Sequence, residues 1–100
     1  MKKEETKFRE NKVTPFLKTL RNTAFFPIQQ LAIRGDADFH LCVHGTFVAL
    51  ELKSRGEVAR PLQEHKHDRV RRAGGVALVA SPDNWEEVKQ QLINLDGGIR

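Results

Sequence analysis

Two apolar rhythms alternate along the chain. Between residues 4 and 20, Phe8, Val13, Phe16, Leu17 and Leu20 recur at roughly helical spacing, which predicts a first helix with one apolar face. Pro15 falls inside it, and a proline there removes a backbone donor and crowds the preceding turn. A kink at Pro15, or two shorter helices, is therefore expected. After a connector at 21–24, three strands are expected at 25–33 (FFPIQQLAI), 37–43 (ADFHLCV) and 46–53 (TFVALELK). Pro27 restricts the first to an edge or a bulge, and Gly35 breaks it. His44 and Gly45 are a two-residue turn between two such runs, which signals a hairpin.

A loop at 54–59 leads to a second helix at 60–73, with Pro61 in its first turn, where proline is tolerated, and Gly74-Gly75 as its stop. VALVA at 76–80 is uninterrupted apolar sequence and reads as a strand at a buried sheet centre. Ser81 is expected to cap a last helix, with Pro82 at its first position and Glu87 in an early turn, running to about Leu95. The tail at 96–100 is expected to fray. The predicted fold is α/β, with a mixed sheet and the order helix-strand-strand-strand-helix-strand-helix. The strands flanking the second helix should run parallel, joined by a right-handed crossover.

Composition narrows the class. A chain of 100 residues, 39% hydrophobic and 30% charged, is expected to form one soluble globular domain spanning 1–100. No apolar stretch approaches the roughly 20 residues of a membrane span, and the lysines of MKKEETKFRENK are not followed by the apolar segment of a secretory signal. Cys42 is the single cysteine; it cannot form an intramolecular bridge, and its apolar context suggests a buried, inert thiol. A reducing, cytoplasmic setting fits that thiol. The net charge is +4, and seven basic residues fall between Lys53 and Arg72, opposed by Glu57, Glu64 and Asp68. Such a run fits a polyanionic partner as well as a merely solvated face.

The third strand carries the chemistry. Its alternation puts Val48, Leu50 and Leu52 on one face and Phe47, Ala49, Glu51 and Lys53 on the other. An acid and a base thus close an otherwise apolar strand, which costs stability unless they are solvated, paired or bound to an ion. Antiparallel pairing through the His44-Gly45 turn brings Asp38 beside Glu51. Two convergent carboxylates repel unless a cation lies between them, and all-oxygen ligation suits Mg²⁺ or Mn²⁺. The same three residues would also make an ordinary surface salt bridge.

GDADF, twelve further residues, and then Glu51-Leu52-Lys53 resemble the PD-(D/E)XK nuclease signature, with Ala37 where that pattern has proline. With PLQEHK and RRAGGVALVASPDNWEEV following, about residues 4–90 are similar to the VRR-NUC family of phage and bacterial nucleases. The resemblance implies a restriction-endonuclease-like fold and hydrolysis of DNA phosphodiesters with Mg²⁺ or Mn²⁺. It implies Asp38 and Glu51 as metal ligands with the Leu52 carbonyl, and an acid of the first helix as a further ligand. Glu5 matches best there, with Glu4 and Glu10 as alternatives. It implies Lys53 as the catalytic lysine and Gln63 as a supporting residue. Arg55, Arg60, Lys66, Arg69 and Arg72 are candidates for DNA-backbone contacts. Branched DNA such as a four-way junction is raised as a substrate, with a twofold dimer to match. The alternative is a non-catalytic nucleic-acid-binding or interaction subunit of a phage or replication assembly.

The remaining candidates are weaker. Gln30 is as well placed for a structural role as for the site, and Asp36 for a turn as for replacing Asp38. His40 and His44 have no metal-ligand spacing on a strand and turn, and His65 and His67 do not share a helix face, so both are expected to be solvent-exposed or near phosphate. Trp85 is expected to pack the last helix onto the sheet.

Overall fold

The computed structural model describes residues 3–28, 37–57 and 60–99. Among them the elements run α1 (Lys3–Phe8), a π-helical turn (Arg9–Val13), α2 (Thr14–Leu17), β1 (Thr23–Pro27), β2 (Phe39–Val43), β3 (Thr46–Leu52), α3 (Pro61–Arg72), β4 (Val76–Ala80) and α4 (Trp85–Asp96). The fold is α/β, and the four strands form one mixed sheet in the order β1-β2-β3-β4. β1 and β2, and β2 and β3, pair antiparallel; β3 and β4 pair parallel across α3.

The first helix is irregular one turn before Pro15. A proline cannot donate to the carbonyl four residues back, and its ring crowds that carbonyl. The chain responds by widening the turn: the Thr14 N–H reaches the Arg9 carbonyl, five residues back. Pro15 then sits at the start of α2. The irregularity is a π-bulge, which is how helices absorb such an insertion.

Alternation decides the core. Phe39, Leu41 and Val43 of β2 and Val48, Leu50 and Leu52 of β3 all point to one face, each at most 1% exposed. Val13 and Leu17 from the first helix and Trp85, Val88, Leu92 and Leu95 from α4 cover them. Trp85 packs as expected: Phe8 and Phe16 both meet its ring edge-on, with centroids 5.4 Å away. α3 lies on the opposite face, against β4. That approach is close enough to require Gly75, where a Cβ would come within 2.9 Å of Val70 Cγ1 and 3.1 Å of the Phe47 carbonyl.

Several expectations are corrected. β1 begins at Thr23, two residues early, and its expected continuation at 29–33 lies outside the described residues. β4 is an edge of the sheet, and β3 is interior to it. The VALVA run is apolar because α3 and α4 cover its two faces. α4 starts at Trp85, four residues after Ser81. Ser81 and Asn84 instead close a turn, in which the Ser81 N–H donates to Asn84 Oδ1 and the Asp83 N–H to Ser81 Oγ. The tail is tied down at its first residue, because the Asp96 carboxylate accepts from the Arg21 and Asn22 amides and the Thr23 hydroxyl. Cys42 is exposed. It occupies an even position of β2, on the face away from the core, so its apolar neighbours in sequence are not its neighbours in space. The hairpin turn is as expected: His44 (φ 47°) and Gly45 (φ 83°) both take the left-handed conformation of a type I′ turn.

Candidate active site

The register Phe39↔Leu50 puts the residue before β2 next to the residue at the end of β3. Asp38 is 6% exposed and Glu51 3%. The two carboxyls lie on the sheet face opposite the core, close enough to hydrogen-bond to each other. Asp38 Oδ2 accepts the Leu52 N–H at 2.7 Å, which fixes its orientation, and Asp38 Oδ1 is 3.6 Å from Arg9 Nη2. Lys53 is also buried, with Nζ 3.5 Å from Glu51 Oε2. These three residues are therefore not a surface salt bridge. They are a desolvated cluster, in which each charge depends on its neighbours.

α3 supplies the fourth member. Gln63 Nε2 donates to Glu51 Oε2 at 2.8 Å, and Gln63 Oε1 accepts the Arg60 N–H at 3.0 Å. One side chain thus closes the helix start and holds the strand carboxylate. Asp38, Glu51, Lys53 and Gln63 come together in one buried cluster.

Electrostatics make the cluster demanding. Burial and the neighbouring Asp38 charge push the Glu51 carboxyl up to about 8, against the pull of Lys53. Burial raises Asp38 as well, offset by the Leu52 N–H, Arg9 and Lys53. Glu51 Oε1 is buried with no hydrogen-bond partner among the described residues. Desolvated carboxyls of raised pKa with an unsatisfied oxygen are what a divalent cation would relieve. The donor set, all oxygen, fits Mg²⁺ or Mn²⁺. Among the described residues, no three His, Cys, Asp or Glu side chains are gathered to hold a metal by themselves. Asp38 and Glu51 make two, and a third ligand would come from main chain or from a rotated side chain.

Of the first-helix acids, Glu5 is the one at the site. Its carboxyl is raised by burial, then by a hydrogen bond to Glu57 and the charges of Glu57 and Asp38, while Lys53 lowers it. Glu4 turns elsewhere and accepts the Arg55 N–H at 3.1 Å. Glu10 is exposed. Leu52 takes part through its amide, as the donor to Asp38.

The basic candidates separate. The Arg55 guanidinium is paired with Asp83 at 3.0 Å, and Arg71 with Asp68 at 3.2 Å. Arg60, Arg69 and Arg72 are exposed on or beside α3, and Lys66 is half-buried. His65 is exposed. His67 is not: it is 3% exposed, its Nε2 has no partner, and burial and then Arg71 lower its pKa. It lies one turn after Gln63, on the helix side that meets the sheet. Gln30 and Asp36 lie outside the described residues.

Sequence reasoning missed Glu57 and Arg9. Glu57 folds back after β3: its Oε1 accepts the Ser54 N–H at 2.8 Å and its N–H donates to the Ser54 carbonyl at 3.2 Å. The signal was an acid three residues after a serine with Gly56 between, a tight-turn pattern. Arg9 gave no signal, since its contact with Asp38 joins segments distant in sequence. Comparison with protein-family models, curated proteins and solved structures returns no match. Among the described residues no helix is long and apolar enough to cross a membrane.

Proposed function

We propose that this chain is a divalent-metal-dependent endonuclease that hydrolyses DNA phosphodiester bonds, a VRR-NUC-like member of the restriction-endonuclease-like fold. The observation that carries this reading is Glu51 Oε1. It is a buried carboxylate oxygen with no hydrogen-bond partner among the described residues, in a cluster whose other members are Asp38, Lys53 and Gln63. Asp38 and Glu51 would hold the ion, with the Leu52 carbonyl and Glu5 completing the oxygen set. When bound, Mg²⁺ or Mn²⁺ supplies Lewis-acid polarisation of the phosphate and a water of lowered pKa.

The chain's own residues do the rest. The Asp38 carboxylate is held by the Leu52 amide and need not reorganise. Gln63 fixes the Glu51 carboxylate against rotation. The Lys53 ammonium stands 3.5 Å from Glu51 Oε2, and in this reading it orients the attacking water and offsets the negative charge that grows on the phosphate. Arg60, Lys66, Arg69 and Arg72 supply backbone contacts without sequence choice. Branched DNA, such as a four-way junction, cut by a twofold dimer in the cytoplasm of a phage-infected or bacterial cell, belongs to the same proposal.

The test is incubation with linear, flapped and four-way-junction DNA in Mn²⁺, Mg²⁺ or EDTA. Cleavage is expected with either metal, none with EDTA, and none with Glu51→Ala. No cleavage of any substrate with either metal overturns the reading.

A further inference from the structure

We propose that the sheet face beyond the carboxylates is a stacking platform for the unpaired nucleotides of a single-stranded DNA segment. Where α3 does not cover it, the non-core face of β1, β2 and β3 exposes Ala24, Phe26, Cys42 and Phe47. The register brings Ala24, Cys42 and Phe47 into one row and Phe26 and His40 into the next. Phe26 is 58% exposed and Phe47 44%, among the largest apolar side chains left in solvent. The His40 ring leans on Phe47, with centroids 5.3 Å apart and planes at 59°. Exposed aromatic rings grouped on one sheet face call for an occupant.

The chemistry beside the rings says which. Between the platform and α3 runs a groove of about 470 Å³, lined by His40, Phe47, Lys66, Arg69, Val70 and Ala73 among others, with no acidic side chain among the described residues. Ring faces flanked by cations are the pair of features that bases and phosphates require, and together they bind single strands with little sequence choice. A second copy of this chain fits less well. An isologous contact would bring two copies of the Lys66–Arg69 rim together with no platform carboxylate between them.

Position ties the platform to the carboxylates. His40 is two residues after Asp38, and its cross-strand partner Ala49 is two residues before Glu51. A strand lying over Phe26, His40 and Phe47 therefore leads onto the Asp38–Glu51 pair. The proposal names the substrate class of the nuclease reading and rests on that reading only for where the scissile phosphate lies.

The test is binding of a fluorescein-labelled oligothymidine of about twelve nucleotides in EDTA, a length within the span such surfaces cover. Phe26→Leu and Phe47→Leu keep an apolar side chain on the sheet and remove the ring. Each is expected to weaken binding about tenfold, the scale of one lost base stack. An abasic strand of equal length is expected to bind both variants and the wild type alike. A 2-aminopurine in the strand should be quenched by the wild type and less so by Phe47→Leu. Unchanged oligothymidine affinity in both variants overturns the platform. So does a shift from dimer to monomer in sedimentation with affinity unchanged, which would make the face a self-interface. The two readings fail separately: a wild type that never cleaves but shows the Phe26 and Phe47 dependence keeps the platform and loses the nuclease.

Discussion

Gln63 Nε2 and Glu51 Oε2 are joined by a buried 2.8 Å hydrogen bond across the gap between α3 and β3. Gln63 also receives the Arg60 N–H through its other amide atom. The residue therefore couples the start of the helix to the orientation of the carboxylate. Gln63→Ala should cost about 1–3 kcal/mol of stability, because it removes a buried hydrogen bond to Glu51 Oε2 and leaves a helix-end donor without its side-chain acceptor. Urea denaturation measures that. Cleavage should fall further than the loss of folded protein accounts for, since Glu51 is then free to rotate. Normal cleavage in the folded variant would reduce Gln63 to a helix cap.

Lys53 separates catalysis from packing. Removing one member of a buried ion pair commonly costs several kcal/mol, because the other charge is stranded. Here Glu51 can take up a proton instead, since its carboxyl already lies at about 8. Lys53→Met, which keeps the apolar stem, should therefore remain folded in a thermal melt. Single-turnover cleavage at saturating Mn²⁺ should fall ~10²-fold or more, the scale for loss of one preorganised electrostatic group. Lys53→Arg should not restore the rate fully, because a planar fork does not replace a compact ammonium. Wild-type rates in Lys53→Met would remove the lysine from the mechanism.

Arg69 and Arg72 are exposed near the end of α3, whereas Arg71 is held by Asp68. Changing both exposed arginines to Ala should weaken DNA binding on every sequence. It should also lower the slope of log affinity against log salt by about one per lost phosphate contact. A slope that does not move would mean that this end of the helix faces away from DNA.

Asp96 gives a prediction remote from the site. Burial alone would raise its carboxyl, but the Thr23 hydroxyl and the Asn22 and Arg21 amides, with His44 nearby, hold it below the ordinary value. Its folded-state pKa is depressed, so its stabilisation is present above about 3.8 and is lost as pH falls through the lower folded value. Asp96→Asn should reduce stability by about 1 kcal/mol at neutral pH, a modest figure because the carboxylate is largely solvated. The difference from wild type should vanish in acid, as followed by urea melts at several pH values.

The sequence made part of this legible and hid part for physical reasons. Period-two alternation around the His44-Gly45 turn was enough to bring Asp38, Glu51 and Lys53 onto one face, because a strand leaves its side chains only two directions. Gln63 came from the resemblance to VRR-NUC proteins; its hydrogen bond is a finding of the fold. What stayed hidden depends on packing between distant segments. Cys42 and His67 were misjudged because burial is set by where α3 lies over the sheet, which no local pattern records. VALVA looked central because an apolar run reports two covered faces and not the number of neighbouring strands. Arg9 meets Asp38 across 29 residues of sequence, a contact that no local pattern records.

The metal-free cluster should make the protein less stable as pH rises, and the sign follows from Glu51. Its carboxyl stands at about 8 in the folded chain against an ordinary 4.5. Between those values the folded state keeps a proton that the unfolded state has released. Stability then falls with pH across that window, since the native state binds more protons there. Asp38 and Glu5, both raised chiefly by burial, act in the same direction. Urea denaturation in EDTA from pH 5 to 8.5 should show this decline, and Glu51→Gln should flatten it. Mn²⁺ adds the second half of the prediction. A cation binds the deprotonated carboxylates, so its stabilising effect must grow as pH rises. The rise in melting temperature on adding Mn²⁺ should therefore be larger at the alkaline end than at the acid end, and should be absent in Glu51→Gln. A shift independent of pH, or one that survives in Glu51→Gln, would locate the ion away from this carboxylate.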